Sequence, residues 1–154
     1  MRIRQAQDSD FDAIVAMCVS SMKATYGDFF SDEEMRPWIE GGETEKYVEA
    51  MLATMLVAVE EGSIRGVVAL KDDMVDLMWI ALDYRGRGIG RALAEEAEKV
   101  LAEKGTGTGR LECFEPNTQA IAFYERLGWT KKEVYPDEAS GINKVLMVKR
   151  LSGQ

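Results

Sequence analysis

The sequence predicts a mixed α+β fold in one domain, on three observations. Helical periodicity dominates the front of the chain, residues 55–82 read as consecutive apolar strand segments, and the two periods then alternate to the end. At 154 residues with 46% hydrophobic side chains, the chain can bury about two-thirds of its extended surface without disulfides or a structural metal. Neither an internal repeat nor a dividing linker is visible, so residues 1–154 are read as a single domain.

Each element has a local reason. The opening MRIRQAQ reads as a short strand, and Ser9 with Asp12 three positions on reads as a cap before Phe11, Ile14, Val15, Cys18 and Met22 on one helical face. Ser31 and Glu34 repeat the cap spacing. Pro37 and Gly41-Gly42 then interrupt before a helix from about Thr44 to Ala53. Residues 55–60 and Ile64–Leu70 are strands joined at Glu61-Gly62-Ser63, and Lys71-Asp72-Asp73 is a turn. Val75 through Leu82, with Trp79, is apolar enough for a central strand. Ala92, Leu93, Ala97, Val100 and Leu101 form a helical stripe ending near Lys104-Gly105. Arg110–Phe114 is a strand, Pro116-Asn117 a turn, and Thr118 to Leu127 a helix stopped by Gly128. Closing strands are expected near Trp129–Tyr135 and Lys144–Lys149.

Composition excludes several classes of function. Histidine is absent, which removes every mechanism that needs an endogenous imidazole as base, triad member or metal ligand. Cys18 and Cys113 stand 95 residues apart without a ligand cluster and read as buried thiols, so no metal is expected. A net charge of -8 disfavours a nucleic-acid partner. No long apolar run or basic-then-apolar leader is visible, which predicts a soluble cytoplasmic protein without a membrane partner.

The most informative peptide is Arg85-Gly86-Arg87-Gly88-Ile89-Gly90, set between an apolar strand and a helix. Such a turn offers backbone amides and the positive end of the helix dipole to an anion, and Arg85, Arg87 and Arg91 add charge. A diphosphate fits there; the plain alternative is a tight turn with solvated arginines. The alternating glycines do not spell GxGxxG, and no GxxxxGK[ST] occurs, so a Rossmann site and a Walker loop are both disfavoured.

These residues resemble the GCN5-related N-acetyltransferase (GNAT) superfamily. Arg85, Gly88 and Gly90 occupy the fixed positions of its acetyl-CoA signature R/Q-x-x-G-x-G/A. The segment Asn117 to Trp129 resembles its pattern of Asn, Ala, an aromatic-Tyr pair and Gly-aromatic, carried here by Asn117, Ala120, Phe123-Tyr124 and Gly128-Trp129. The resemblance implies a GNAT-like, predominantly antiparallel mixed sheet flanked by helices. Its two central parallel strands, here Val75–Leu82 and Arg110–Phe114, would splay apart to hold the pantetheine arm. Backbone groups near Ile80 and Leu82 would pair with the cofactor's amides, although the family often has Pro where Leu82 stands. Arg85, Gly86, Arg87, Gly88, Ile89, Gly90 and Arg91 would take the pyrophosphate of acetyl-CoA, the expected cosubstrate. Asn117 would position the cofactor or a water, or cap a helix, or do both.

By the same resemblance Tyr124 would protonate the departing CoA thiolate, a task that suits a phenol neutral at pH 7. The alternative is a core tyrosine bonded to a backbone acceptor. Amine attack also needs a proton sink, and without histidine Asp76 is the first candidate, with Asp73 and Glu60 as others near strand ends. Cys113 has no histidine to activate it, and the family transfers acetyl directly, so burial explains this thiol.

Residues 1–80 hold 7 basic and 16 acidic side chains, against 12 and 11 in the remainder, so the front half would attract a cationic acceptor. Tyr26, Trp38 and Trp79 would line a pocket or pack in the core. The leading expectation is N-acetyl transfer to a small primary amine by direct attack in a ternary complex. A protein or peptide N-acetyltransferase and a non-catalytic acyl-CoA sensor are the alternatives, and a homodimer is plausible by the resemblance.

Overall fold

The structure, a computed structural model, describes residues Met1–Leu151, so the last three positions of the predicted domain lie outside the described residues. Twelve main elements follow one another in the chain. They are β1 (Arg2–Gln5), α1 (Phe11–Tyr26), α2 (Asp32–Ile39), α3 (Glu43–Met51), β2 (Met55–Glu60), β3 (Ser63–Lys71), β4 (Met74–Ile80), α4 (Ile89–Glu103), β5 (Thr108–Phe114), α5 (Thr118–Arg126), β6 (Thr130–Pro136) and β7 (Asn143–Arg150). The strands form one sheet in the order β1-β2-β3-β4-β5-β7-β6. Every neighbouring pair is antiparallel except β4 and β5.

Helices cover both faces of this sheet because the strands are apolar on both sides. On one face Leu93, Ala97 and Leu101 of α4, with Ile121 of α5, pack against Val68, Val75, Leu111 and Met147. On the other, Ile14 and Cys18 of α1 and Val48 of α3 pack against Val57, Val67 and Trp79. A polar tie closes the first face. Glu98 of α4 accepts the Trp129 indole N–H at 3.1 Å and the Lys149 ammonium at 2.7 Å, and that ammonium also donates to the Leu127 carbonyl at 2.6 Å.

Three local expectations are corrected. The approach to α1 is organised by Asp10 rather than by Ser9 with Asp12. A 3-10 turn over Asp8–Asp10 precedes the helix, and the Asp10 carboxylate accepts the Gln7 N–H at 2.8 Å and two Arg4 guanidinium bonds at 2.7 and 3.0 Å. Pro37 does not end its helix but sits inside α2, which closes only where Glu40 and Gly41 donate back to the Arg36 carbonyl. The Ser31–Glu34 cap opens that helix as expected, with both reciprocal bonds formed.

The third correction concerns the site. The central strand stops at Ile80 rather than Leu82. Ala81 still donates to the Arg65 carbonyl of β3, but the Tyr84 N–H then folds back onto the Ala81 carbonyl. This puts Leu82 in a 3-10 turn, 46% exposed and outside the ladder.

Candidate active site

The parallel pair β4–β5 is joined at a single register position, Met74 opposite Arg110, with the Arg110 N–H on the Asp73 carbonyl at 3.0 Å. Beyond it the strands separate. Each is held from outside, β4 by β3 and β5 by β7 along its whole length, so the sheet stays intact while its middle seam opens. Ala81 points its N–H toward β3, and by strand alternation the backbone groups of Ile80 point toward the seam. The Ile80 N–H faces a chain laid between the strands, and the Ile80 carbonyl, which accepts a long 3.5 Å bond from Arg85 Nε, keeps a second lone pair for one.

A cleft of about 580 Å³ fills the opening. Among the sequence-predicted site residues, Asp76, Ile80, Arg85, Gly86, Gly90, Asn117 and Tyr124 line it. Leu82, Arg87, Gly88, Ile89 and Arg91 do not. The Ile89 side chain is buried in the core, and the Arg91 guanidinium lies 3.3 Å from Glu95 one turn along α4. The Arg87 guanidinium sits 4.4 Å from the centre of the Tyr84 ring, on which Arg65 also stacks at 4.1 Å. Arg85 alone of the three arginines reaches the cleft, donating from Nε to the Ile80 carbonyl at 3.5 Å and from its terminal nitrogen to Thr25 Oγ1 at 3.4 Å.

The glycine-rich turn has the geometry an anion site requires. Gly86 and Gly88 take left-handed φ of 78° and 87°, and a Cβ on either would meet nothing within 4 Å, so the backbone there faces open space. Gly88 is the N-cap of α4, no side chain caps its first-turn amides, and no acidic residue stands in that turn. Gly90 serves packing instead: a Cβ on it would approach the Phe123 ring to 3.2 Å, so glycine lets α4 and α5 close on each other.

At the far wall α5 starts from Asn117, whose side-chain oxygen accepts the Ala120 N–H at 3.3 Å, the cap that its position after Pro116 predicts. Two helical turns later Tyr124 is 8% exposed and lines the cleft. Burial, with lesser contributions from Cys113 and Tyr26, pushes the phenol well above the ordinary tyrosine range, so it is a proton donor and not a phenolate. Burial alone pushes the Cys113 thiol up to about 12.

The opposite end of the cleft is aromatic. Tyr26 contacts Phe29, Phe30, Trp79 and Phe114 with centroid separations of 5.3–5.7 Å, so Tyr26 and Trp79 pack and line the cleft at once. Trp38, 40% exposed, lies outside the cleft lining. Sequence reasoning passed over Tyr47, whose hydroxyl donates to Asp76 Oδ2 at 2.6 Å across 29 residues of chain. It also passed over Thr25, Gln119 and Arg126 of the lining; the last two stand on the α5 segment that was already singled out, which was the available signal.

This fold and cleft define an acyl-CoA-type acyltransferase, and comparison with known proteins agrees. The sequence pattern of the acetyltransferase (GNAT) family matches residues 15–129. The chain belongs to that family and is an acetyl-CoA-dependent N-acetyltransferase. Among its relatives, spermidine N(1)-acetyltransferase of Thermoplasma acidophilum is 26% identical over 145 residues, covering 84% of this chain and 88% of that one. Peptidyl-lysine N-acetyltransferase YjaB of Escherichia coli is 32% identical over 130 residues, 82% and 80% of the two chains. The crystal structure of PaiA N-acetyltransferase from Thermoplasma acidophilum, in complex with coenzyme A, has the same fold, with a TM-score of 0.81 and 21% identity over 97% of this chain and 98% of that one.

Proposed function

We propose that the enzyme acetylates the primary amine of a small cationic metabolite by direct attack in a ternary complex with acetyl-CoA. The observation that carries this reading is the seam between β4 and β5, which opens beside Gly86 and Gly90 of the α4 turn and holds the Asp76 carboxylate in its lining. The residues present fit acetyl-CoA. The seam-facing backbone groups of Ile80 match the amides of a pantetheine arm, and the uncapped first turn of α4, from Gly88 through Arg91, suits a diphosphate. Arg85 adds charge at the cleft, whereas Leu82 is too far off the ladder to add a strand-like bond. When bound, acetyl-CoA supplies the activated acyl group.

The chain's own groups then divide the proton work. Asp76, exposed at the cleft, takes the proton from the attacking nitrogen, directly or through water, as the C–N bond forms. Tyr124 gives its proton to the sulfur as the C–S bond breaks and regains one from solvent. The desolvation that keeps the phenol neutral equally raises the basicity of a thiolate formed beside it, which favours the transfer. In this reading a backbone N–H near Ile80 meets the charge developing on the carbonyl oxygen. Cys113, a thiol at neutral pH, takes no covalent part.

A spermidine acetyltransferase among the relatives supports a small cationic acceptor, and the peptidyl-lysine enzyme is the reason to test peptides beside it. The experiment is calorimetric titration with acetyl-CoA, followed by turnover with linear diamines and polyamines, lysine peptides and free peptide N-termini. Polyamine turnover with micromolar acetyl-CoA binding is expected. Turnover confined to peptides would replace the acceptor class, and tight binding without any turnover would make the protein an acyl-CoA sensor.

A further inference from the structure

We propose that Tyr47 is a positioning residue that holds Asp76 for proton abstraction, an inference that rests on the acetyl-transfer reading above. The argument begins in the register of β3 and β4. Ala69 stands opposite Leu77 and Leu70 opposite Val75, which leaves Asp76 as the extra residue of a β-bulge. Val75 packs on the α4–α5 face of the sheet and Leu77 on the α1–α3 face. A bulge re-aims the side chain it carries, and this one turns Asp76 toward α3 while keeping it on the cleft.

An exposed aspartate on a bulge has several rotamers open to it, and a base that wanders wastes turnovers. Tyr47 removes that freedom. Its hydroxyl donates to Asp76 Oδ2 at 2.6 Å, and among the described residues nothing bonds Oδ1, which remains for the amine's proton or a bridging water. Tyr47 is itself anchored, because its ring packs into the apolar cluster beneath α1 and α3. The start of α3 is held by the buried Thr44, whose hydroxyl donates to the Trp38 carbonyl at 2.6 Å. Burial first, and Asp76 second, keep the Tyr47 phenol protonated, so it acts as a donor throughout the working pH range and does not compete as a base.

The test is a double-mutant cycle of Tyr47→Phe and Asp76→Asn, reading kcat at saturating amine, acetyl-CoA affinity by calorimetry, and Tm. Tyr47→Phe keeps the packed ring and loses only the hydroxyl. The expected result is a fall in kcat of about tenfold, the size of one ordinary hydrogen bond, with acetyl-CoA affinity and Tm unchanged and no further fall when it is added to Asp76→Asn. Losses that multiply in the double variant would show that Tyr47 does not act through Asp76. An unaltered kcat in Tyr47→Phe, or a fall that tracks Tm, overturns the proposal equally. Full activity in Asp76→Asn would remove the base and Tyr47's role while leaving acetyl transfer in place. A wild-type enzyme inert toward every amine would instead overturn the transfer reading, and this proposal with it.

Discussion

Tyr124 and Cys113 stand close in the same cleft, and burial treats them alike by suppressing ionisation, yet in the proposed mechanism only one has use for the suppressed state. A neutral phenol can give a proton; a neutral thiol cannot attack a thioester with any speed. Replacing Tyr124 by Phe is therefore expected to lower kcat by about 10²-fold, with acetyl-CoA affinity in calorimetry unchanged. Cys113→Ala is expected to keep kcat within a few fold. Both thiols have pKa values raised to about 12 by burial, so at pH 8 iodoacetamide should label neither in the native protein and both after unfolding, as read by mass spectrometry. The position of Tyr124 in the cleft was legible in sequence because its motif is local: Asn117 caps the helix and seven residues later the ring faces the seam. Tyr47 was not, since one aromatic on an amphipathic helix looks like packing until its partner 29 residues on is seen.

Among the elements, the turn from Gly86 to Gly90 and the approach to α1 are the ones whose local chemistry can be weighed. Gly88→Ala meets no steric obstacle but forces an L-residue to a φ of 87°, which costs about 1–2 kcal/mol. Its methyl would also intrude where the α4 amides face open space. Lower Tm together with weaker acetyl-CoA binding is expected, and weakened stability with unchanged affinity would remove this turn from the cofactor site. At α1, hydrogen bonds from Arg4 hold the Asp10 carboxyl below the ordinary range. A depressed carboxyl pKa stabilises the fold above the unfolded value, near 3.9, and that stabilisation is lost as pH falls through the lower folded value. Asp10→Asn should thus cost roughly 1.5–3 kcal/mol at pH 7. The gap between variant and wild type in urea unfolding should close as the pH falls below the ordinary aspartate range.

For the whole molecule, the decisive property is an asymmetry of charge laid across one sheet. The front of the chain, with 16 acidic against 7 basic side chains, supplies α1 to α3 on one face, and the nearly balanced remainder supplies α4 and α5 on the other. If acceptors are cations guided by that field, kcat/KM for a polyamine should fall several-fold as ionic strength rises from about 0.02 to 0.3 M, as the Debye length contracts, while kcat holds. Indifference to salt would mean that the acidic front serves solubility alone. Among the described residues no helix is long and apolar enough to cross a membrane.

Local chemistry was enough to write most of this fold. Apolar runs bounded by turn residues marked β2 and β3, periodicity marked α4 and α5, and a Ser31–Glu34 pair marked the start of α2, each within a few residues of its observed limits. The glycine turn and Tyr124 were readable for the same reason, because the interactions that shape them span less than three helical turns. Other features depended on residues far apart in the chain. Nothing local says that β4 and β5 meet only at Met74 and Arg110, that a bulge turns Asp76 toward Tyr47, or that the strand ends before Leu82. Strand register is set by partners on both sides and by the helices packed over them, and a one-residue slip re-aims a side chain to the opposite face. The placement of Asp76 and the opening of the seam were therefore decided only when the whole sheet closed.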